Sequence, residues 1–91
     1  MDESVTTRRI VKLAHRNGLH LTPIQLLVKA VSDHSAVVRV HFGGKSANAR
    51  SAMELMLLGA TFGANLDLDA SGVDAESALS AAEAVLSATV D

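Results

Sequence analysis

The pattern that most constrains the fold is an alternating stretch that ends in two glycines. Every second residue of 36–42 is apolar, which predicts a strand with one buried face. The apolar positions are Ala36, Val38, Val40 and Phe42. Gly43-Gly44 predicts a tight hairpin turn into a second strand over 45–49. An antiparallel pair with one polar face leaves the other face to be covered by further elements.

Four further segments carry the periodicities of strands and helices. Residues 8–13 predict a strand, with Val11 and Leu13 facing inward beside Arg9 and with Ile10 and Lys12 facing outward. Residues 64–70 predict a strand in which Leu66 and Leu68 alternate with polar residues. Helices are expected over 21–33 and from Ala75, with apolar stripes at helical spacing. The stripes comprise Ile24, Leu27, Val28 and Val31 in the first helix, and Ala75, Ala78, Leu79, Ala82, Val85, Leu86 and Thr89 in the last.

Capping residues place the remaining helix and complete the predicted fold. Ser51-Ala52-Met53-Glu54 matches a capping box, in which Ser51 bonds the Glu54 N–H and Glu54 reaches back. A short helix to Leu58 follows and is stopped by Gly59, and Asp74 is expected to cap the last helix. The predicted class is α+β, in the order β-α-β-β-α-β-α, with an antiparallel sheet and all helices on one side.

Composition limits the function classes. The chain has 91 residues, no cysteine and only 2% aromatic residues, which predicts one small domain over 1–91 with an aliphatic core and no thiol chemistry. A net charge of −2 argues against nucleic-acid binding. Residues 1–7 are expected to be a flexible tail without a signal peptide, and the apolar run 53–60 is too short to cross a bilayer. We therefore expect a cytoplasmic protein that does not insert into membranes.

The candidate site is the stretch Asn17-Gly18-Leu19-His20-Leu21-Thr22-Pro23. Asn17-Gly18 predicts a sharp turn, and Pro23 falls in the first helical turn, where its missing N–H costs no hydrogen bond. His20 would then lie at the helix N-terminus, where free N–H groups and the helix dipole favour an anion. The residues alone leave two interpretations open, a catalytic histidine and an ordinary polar loop histidine.

Three motifs in this order resemble the histidine-containing phosphocarrier protein (HPr) family of the bacterial phosphoenolpyruvate:sugar phosphotransferase system. They are Asn17-Gly18-Leu19-His20 followed by Pro23, then Gly44-Lys45-Ser46-Ala47, and then Arg50-Ser51-Ala52-Met53 followed by Met56 and Leu58-Gly59. The resemblance runs from about residue 11 to residue 86. It implies an open-faced β-sandwich with a four-stranded antiparallel sheet and three helices, working as a cytoplasmic monomer without a cofactor or metal.

The resemblance also implies a phosphoryl relay. His20 would accept a phosphoryl group from phosphorylated enzyme I and pass it to a sugar-specific acceptor protein. Leu21, Thr22 and Arg16 would support the phosphoryl group. Ser51 would be a regulatory site for an HPr kinase, besides its role as a helix cap. The partner-docking residues implied by the family are Leu21, Ala52, Met53 and Met56.

The chain departs from the family pattern at one position. The family has an arginine between the histidine and the proline, and this chain has Thr22 there. A hydroxyl does not replace a planar, charged fork of donors, although Arg16 would substitute in part. Leu21 and Glu54 also make the surface less basic than is usual for the family. The alternative function is therefore an HPr-like regulatory or binding module with weak or no relay.

We expect the other polar residues to have structural roles and not to take part in catalysis or metal binding. His15, His34 and His41 are expected at the surface, without the spacing of a metal site. Asp67 and Asp69 are expected on a solvated strand face. Of the apolar residues in the second helix, we expect most to be core and one or two to be exposed for docking. These residues are Met53, Met56, Leu57 and Leu58.

Overall fold

The computed structural model describes residues 6–88, which form four strands and three helices in the predicted order. The strands are β1 (Thr6–Lys12), β2 (Val37–Phe42), β3 (Lys45–Asn48) and β4 (Asn65–Ser71). The helices are α1 (Leu21–Ser32), α2 (Ala52–Leu57) and α3 (Ala75–Leu86). Strand β1 begins two residues earlier than predicted, and residues 1–5 of the expected tail lie outside the described range. Thr89 of the predicted last helix also lies outside it.

The strands pair antiparallel in the order β1-β4-β2-β3. β4 lies in the centre, with Leu68 opposite Arg9 on one side and opposite Val40 on the other. The hairpin is closed by Gly43 and Gly44 at φ angles of 60° and 80°, the left-handed region that a two-residue turn of this kind requires. Ala36, Val38 and Val40 of the alternating pattern are buried as predicted. A slip of one residue in the strand pairing would turn these side chains to solvent.

The helices pack on one face of this sheet and enclose an aliphatic core. Among the described residues neither aromatic side chain is fully buried, since Phe42 is partly buried at the edge of the core and Phe62 is exposed. The expected inward apolar positions Val11, Leu66 and Leu68 are buried, Arg9 is half-buried, and Ile10 and Lys12 face outward. The largest fully buried apolar residues are Leu13, Ile24, Leu27, Val31, Val38, Val40, Leu55, Leu66, Leu68, Leu79 and Leu86.

Two carboxylates at helix N-termini, those of Glu54 and Asp74, bind differently from the prediction. The Ser51 hydroxyl accepts from the Glu54 N–H at 3.2 Å, but the Glu54 carboxylate accepts from the Asn48 N–H at 2.8 Å and ties α2 to β3. Asp74 stands at the N-cap of α3 without a side-chain capping bond. Its carboxylate accepts instead from the N–H groups of Ser35 and Ala36, at 2.9 and 2.8 Å. Both acids therefore join a helix to another part of the chain, Glu54 to the preceding strand and Asp74 to the segment before β2.

The prediction that His15 lies at the surface is wrong. Its side chain is fully buried, and Nε2 lies 2.7 Å from the Val85 carbonyl oxygen in the last turn of α3. The neighbouring Ala14 N–H donates to the Leu86 carbonyl at 3.0 Å. A buried imidazole is tolerated because it supplies a partner for a helix-end carbonyl that has no intrahelical donor. This pair of bonds anchors the start of the His20 loop to the end of α3.

Candidate functional site

The loop that carries His20 is held against the segment between α2 and β4. The Leu19 N–H donates to the Ala60 carbonyl at 3.0 Å, and the Gly18 N–H donates to the His15 carbonyl at 3.0 Å. Gly18 has a φ of 74°, and a Cβ added there would lie 2.6 Å from the Ala60 oxygen. The approach is therefore close enough that only glycine fits. The Asn-Gly turn predicted from the sequence fixes where the histidine stands.

His20 is the N-cap of α1, as the sequence predicts. Its backbone is extended (φ −106°, ψ −170°), and its side chain makes no capping hydrogen bond. The first intrahelical bond runs from the Ile24 N–H to the His20 carbonyl at 3.0 Å, and Pro23 has no N–H to offer. Among the described residues, no acceptor reaches the N–H groups of Leu21 and Thr22. Two backbone donors and the positive end of the helix dipole thus remain available beside the imidazole.

The two ring nitrogens of His20 differ in their surroundings. Nε2 is shielded from solvent, and no hydrogen-bond partner for it lies within residues 6–88. Nδ1 is not shielded in the same way and the side chain as a whole is half-buried, so of the two ring nitrogens Nδ1 has the better access to solvent. A neutral imidazole nitrogen with a free lone pair is a nucleophile at neutral pH.

The flanking side chains bring little charge to the site. Leu21 and Thr22 are both exposed at the start of the helix, and Arg16 is exposed two residues before Gly18. Residues 21–28 include no Asp, Glu, Lys or Arg. Position 22 therefore presents a hydroxyl where an arginine would present a fork of charged donors.

Helix α2 exposes more apolar surface than the sequence analysis predicts. Leu55 and Leu58 are buried, while Met53, Met56 and Leu57 are each more than half exposed. The expectation that most of the predicted apolar set is core is therefore wrong. A helix of six residues contacts the core along a single line, and Leu55 occupies it. Ala52 is also exposed.

Ser51 lies at the start of this exposed helix. It is half-buried, and its oxygen already accepts the Glu54 N–H. Glu54 lies in the first turn of the same helix, so its carboxylate is close to any negative charge placed on Ser51. The serine is a cap in this structure, as predicted, and its modification remains a prediction.

The polar residues elsewhere form pairs on the sheet and at helix ends. On the open face of the sheet Asp67 pairs with Arg8, and Asp69 lies 2.6 Å from Nε2 of His41. His34 bonds the Ala30 carbonyl and the Ser77 hydroxyl. In the part of the chain that the structure describes, no three His, Asp or Glu side chains come together as metal ligands. None of the helices described is long and apolar enough to span a bilayer.

Phe62 is a surface residue that the sequence analysis missed. It lies between Gly59 and Gly63, on the segment whose Ala60 carbonyl binds the His20 loop, and its ring is 63% exposed. The signal available in the sequence was an aromatic residue in a short loop bounded by glycines.

An open-faced sheet with three helices on one side, and a histidine at the first helix N-terminus, defines a small α+β protein with an anion-favouring histidine site. The family model "PTS HPr component phosphorylation site" matches residues 7–88. The chain belongs to this family, the HPr phosphocarriers of the phosphotransferase system. Its fold and family are therefore those that the sequence motifs predict.

Three relatives illustrate the similarity. The phosphocarrier protein HPr of Buchnera aphidicola subsp. Baizongia pistaciae (strain Bp) is 36% identical over 67 residues, which cover 74% of this chain and 79% of the relative. The crystal structure of HPr from Bacillus anthracis str. Ames is 31% identical, with a TM-score of 0.84, covering 89% of this chain and 96% of that one. The solution structure of Crh, the Bacillus subtilis catabolite repression HPr, is 30% identical, with a TM-score of 0.69, covering 92% and 100%.

Proposed function

We propose that this protein is a phosphocarrier that accepts a phosphoryl group on His20 from phosphorylated enzyme I and passes it to a sugar-specific acceptor component. The observation that carries the proposal is the N-terminus of α1. There, the half-buried His20 is the N-cap, and it directly precedes Leu21 and Thr22, whose N–H groups have no acceptor among the described residues. Membership of the HPr family supports the same role.

The transfer step follows from this geometry. The Nδ1 lone pair of His20 attacks phosphorus, the bond between phosphorus and the donor atom of enzyme I breaks, and its electron pair stays on that donor atom. The phosphoryl oxygens then lie near the Leu21 and Thr22 N–H groups, which stabilise the anion without a metal. In the second transfer a nucleophile of the acceptor protein attacks phosphorus, the P–N bond to His20 breaks, and its electron pair returns to Nδ1. The chain itself supplies the nucleophile and two donors, and the partners supply the positioning.

The experiment is phosphorylation with enzyme I and labelled phosphoenolpyruvate. The expected product is an acid-labile, base-stable adduct, absent from His20→Ala and retained in the control His34→Ala. Absence of label at every enzyme concentration, with the fold intact by circular dichroism, contradicts the proposal.

A second candidate function is a regulatory or binding module with weak relay, and Thr22 is the observation that favours it. A charge-assisted hydrogen bond from arginine is worth about 1.5–3 kcal/mol, or roughly ten- to a hundredfold in the step that uses it. The similarity to Crh, named a catabolite repression HPr, is compatible with this role. Thr22→Arg is expected to raise the transfer rate by that factor. An unchanged rate means that the missing arginine does not limit transfer.

Ser51 is the proposed regulatory residue, phosphorylated by an HPr kinase. A phosphate on its hydroxyl would replace the present cap and add negative charge at the edge of the surface around Met53 and Met56. The nearby Glu54 carboxylate opposes this charge. The measurement is mass spectrometry after incubation with an HPr kinase and ATP. Modification at Ser51, absent in Ser51→Ala, is the expected result, and no modification contradicts it.

The proposed setting is the cytoplasm, where enzyme I and the acceptor proteins would dock on the surface formed by Leu21, Ala52, Met53 and Met56. All four side chains are exposed on neighbouring helices. This surface is apolar, so it fits a protein partner better than a nucleic acid, which would require a basic patch.

A further inference from the structure

Five large apolar side chains are more than half exposed on α1, on α2 and in the loop that follows α2. They are Leu21, Met53, Met56, Leu57 and Phe62, with exposed fractions between 53% and 71%. Single exposed apolar residues are ordinary at protein surfaces, but a cluster marks an interaction site. Phe62 is the one member that lies outside the two helices.

The backbone around Phe62 is fixed on both sides. On one side the Ala60 carbonyl accepts from the Leu19 N–H, and on the other the Gly63 N–H donates to the Leu13 carbonyl at 2.8 Å. The Ala64 N–H closes the turn onto the Thr61 carbonyl at 3.0 Å. The loop is therefore rigid, while the phenyl ring points into solvent.

An exposed ring on a rigid loop is well suited to binding. Its burial by a partner orders only two side-chain torsions, which makes the entropic cost of association small. The ring does not belong to the buried core, so its presence is not explained by folding. Its loop bonds directly to Leu19, the residue before His20, through the Ala60 carbonyl, so the Phe62 loop adjoins the loop that carries the imidazole.

Charge is nearly absent from this surface. Across residues 21–28 and 51–64 the sole Asp, Glu, Lys or Arg is Glu54. Four cations lie at the margins: Arg16, Lys29, Lys45 and Arg50. Two of them are held by backbone carbonyls, Lys45 by Leu57 at 3.3 Å and Arg50 by His34. This surface therefore offers few cations that could form ion pairs with acidic residues of a partner. The complementary partner presents an apolar recess instead.

We propose that Phe62 is the anchor residue by which enzyme I docks, and that enzyme I presents an apolar recess that receives the ring. The proposal rests on the proposed function, because it assigns a partner surface to the same relay. It makes Phe62 a specificity residue that binds the partner and takes no part in the chemistry. It also predicts an association that depends little on ionic strength, since screening acts on charges and not on apolar contacts.

The test is the steady-state rate of phosphoryl transfer from phosphorylated enzyme I of the source organism, measured against the concentration of this chain. Phe62→Ala is expected to raise KM about tenfold and to leave kcat within about twofold. Phe62→Leu is expected to recover most of that loss. The matched control is Val73→Ala, another exposed apolar residue. Strand β4 separates it from the Phe62 loop by roughly 20 Å, so the control KM should not change.

The outcomes separate this proposal from the relay itself. If wild-type protein is not labelled, the proposed function fails. If it is labelled and Phe62→Ala has the KM of Val73→Ala, only the assignment of Phe62 fails. A loss of more than about tenfold in kcat/KM between about 50 and 500 mM NaCl would also contradict the proposal, because it would show that the association depends on charges and not on apolar contacts. Sedimentation gives another outcome that would contradict the proposal. If the protein forms a dimer that Phe62→Ala abolishes without changing transfer, Phe62 binds a second copy of this chain and not enzyme I.

Discussion

Replacing Gly18 by alanine tests whether the close approach of two loops holds His20 in place. Gly18 has a φ of 74°, and its added Cβ would lie 2.6 Å from the Ala60 oxygen and 3.1 Å from the Thr61 Cα. Both neighbours are backbone atoms, so no side chain can turn aside. The substitution therefore adds two separable costs, one from the backbone conformation and one from the contact.

Gly44→Ala is the matched control for the first cost. Gly44 has a similar φ of 80°, but nothing lies within 4 Å of an added Cβ. A left-handed conformation costs a residue with a Cβ about 1–2 kcal/mol, and that is the whole effect expected at this position. Gly18→Ala should cost the same amount plus about 1–3 kcal/mol for forcing an atom into a packed contact. Its expected destabilisation is therefore about 2–5 kcal/mol.

The assay is urea unfolding of both variants, followed by phosphorylation under folded conditions. Gly18→Ala should be less stable than Gly44→Ala and should accept the phosphoryl group more slowly, because displacing the loop breaks the Leu19–Ala60 hydrogen bond. Gly44→Ala should be phosphorylated at the wild-type rate. Equal stability of the two variants refutes the argument that close packing fixes the loop.

Three further predictions concern stability. Leu55→Ala should cost about 2–5 kcal/mol in urea unfolding, whereas the exposed neighbour Leu57→Ala should change stability by less than about 0.5 kcal/mol; equal effects contradict the assigned helix face. His15→Ala should cost about 2–4 kcal/mol, since it removes a buried side chain and the partner of Val85, and a neutral result contradicts its burial. Hydrogen bonds from Ser35 and Ala36 lower the pKa of Asp74, so its stabilisation should be full above about pH 4 and lost as the pH falls through the lowered value. Asp74→Asn should then approach wild-type stability in acid, and a gap that is constant with pH contradicts this.

The fold could be predicted because its determinants are local. The alternation over 36–42, the double glycine and the helical stripes each need only neighbouring residues. The position of His20 at a helix N-terminus followed from Asn17-Gly18 and Pro23 for the same reason.

The errors arose where contacts join distant parts of the chain. His15 is buried because the end of α3, about 70 residues later, offers it a carbonyl. Asp74 binds the N–H groups of Ser35 and Ala36, 39 and 38 residues earlier, instead of its own helix end. No local pattern reports such contacts. Met53 and Met56 are exposed because α2 has only six residues and buries Leu55. The apolar residues of the sequence do not show how long the helix is.

The measurement that tests the central claim most directly is the ¹⁵N and ³¹P NMR spectrum of the protein after reaction with enzyme I and phosphoenolpyruvate. The account predicts a single phosphoryl group on Nδ1 of His20, because Nε2 is shielded. It also predicts that the amide resonances of Leu21 and Thr22 shift as their N–H groups bind the phosphoryl oxygens. A phosphoryl group on Nε2, on another histidine or on no residue would contradict the account.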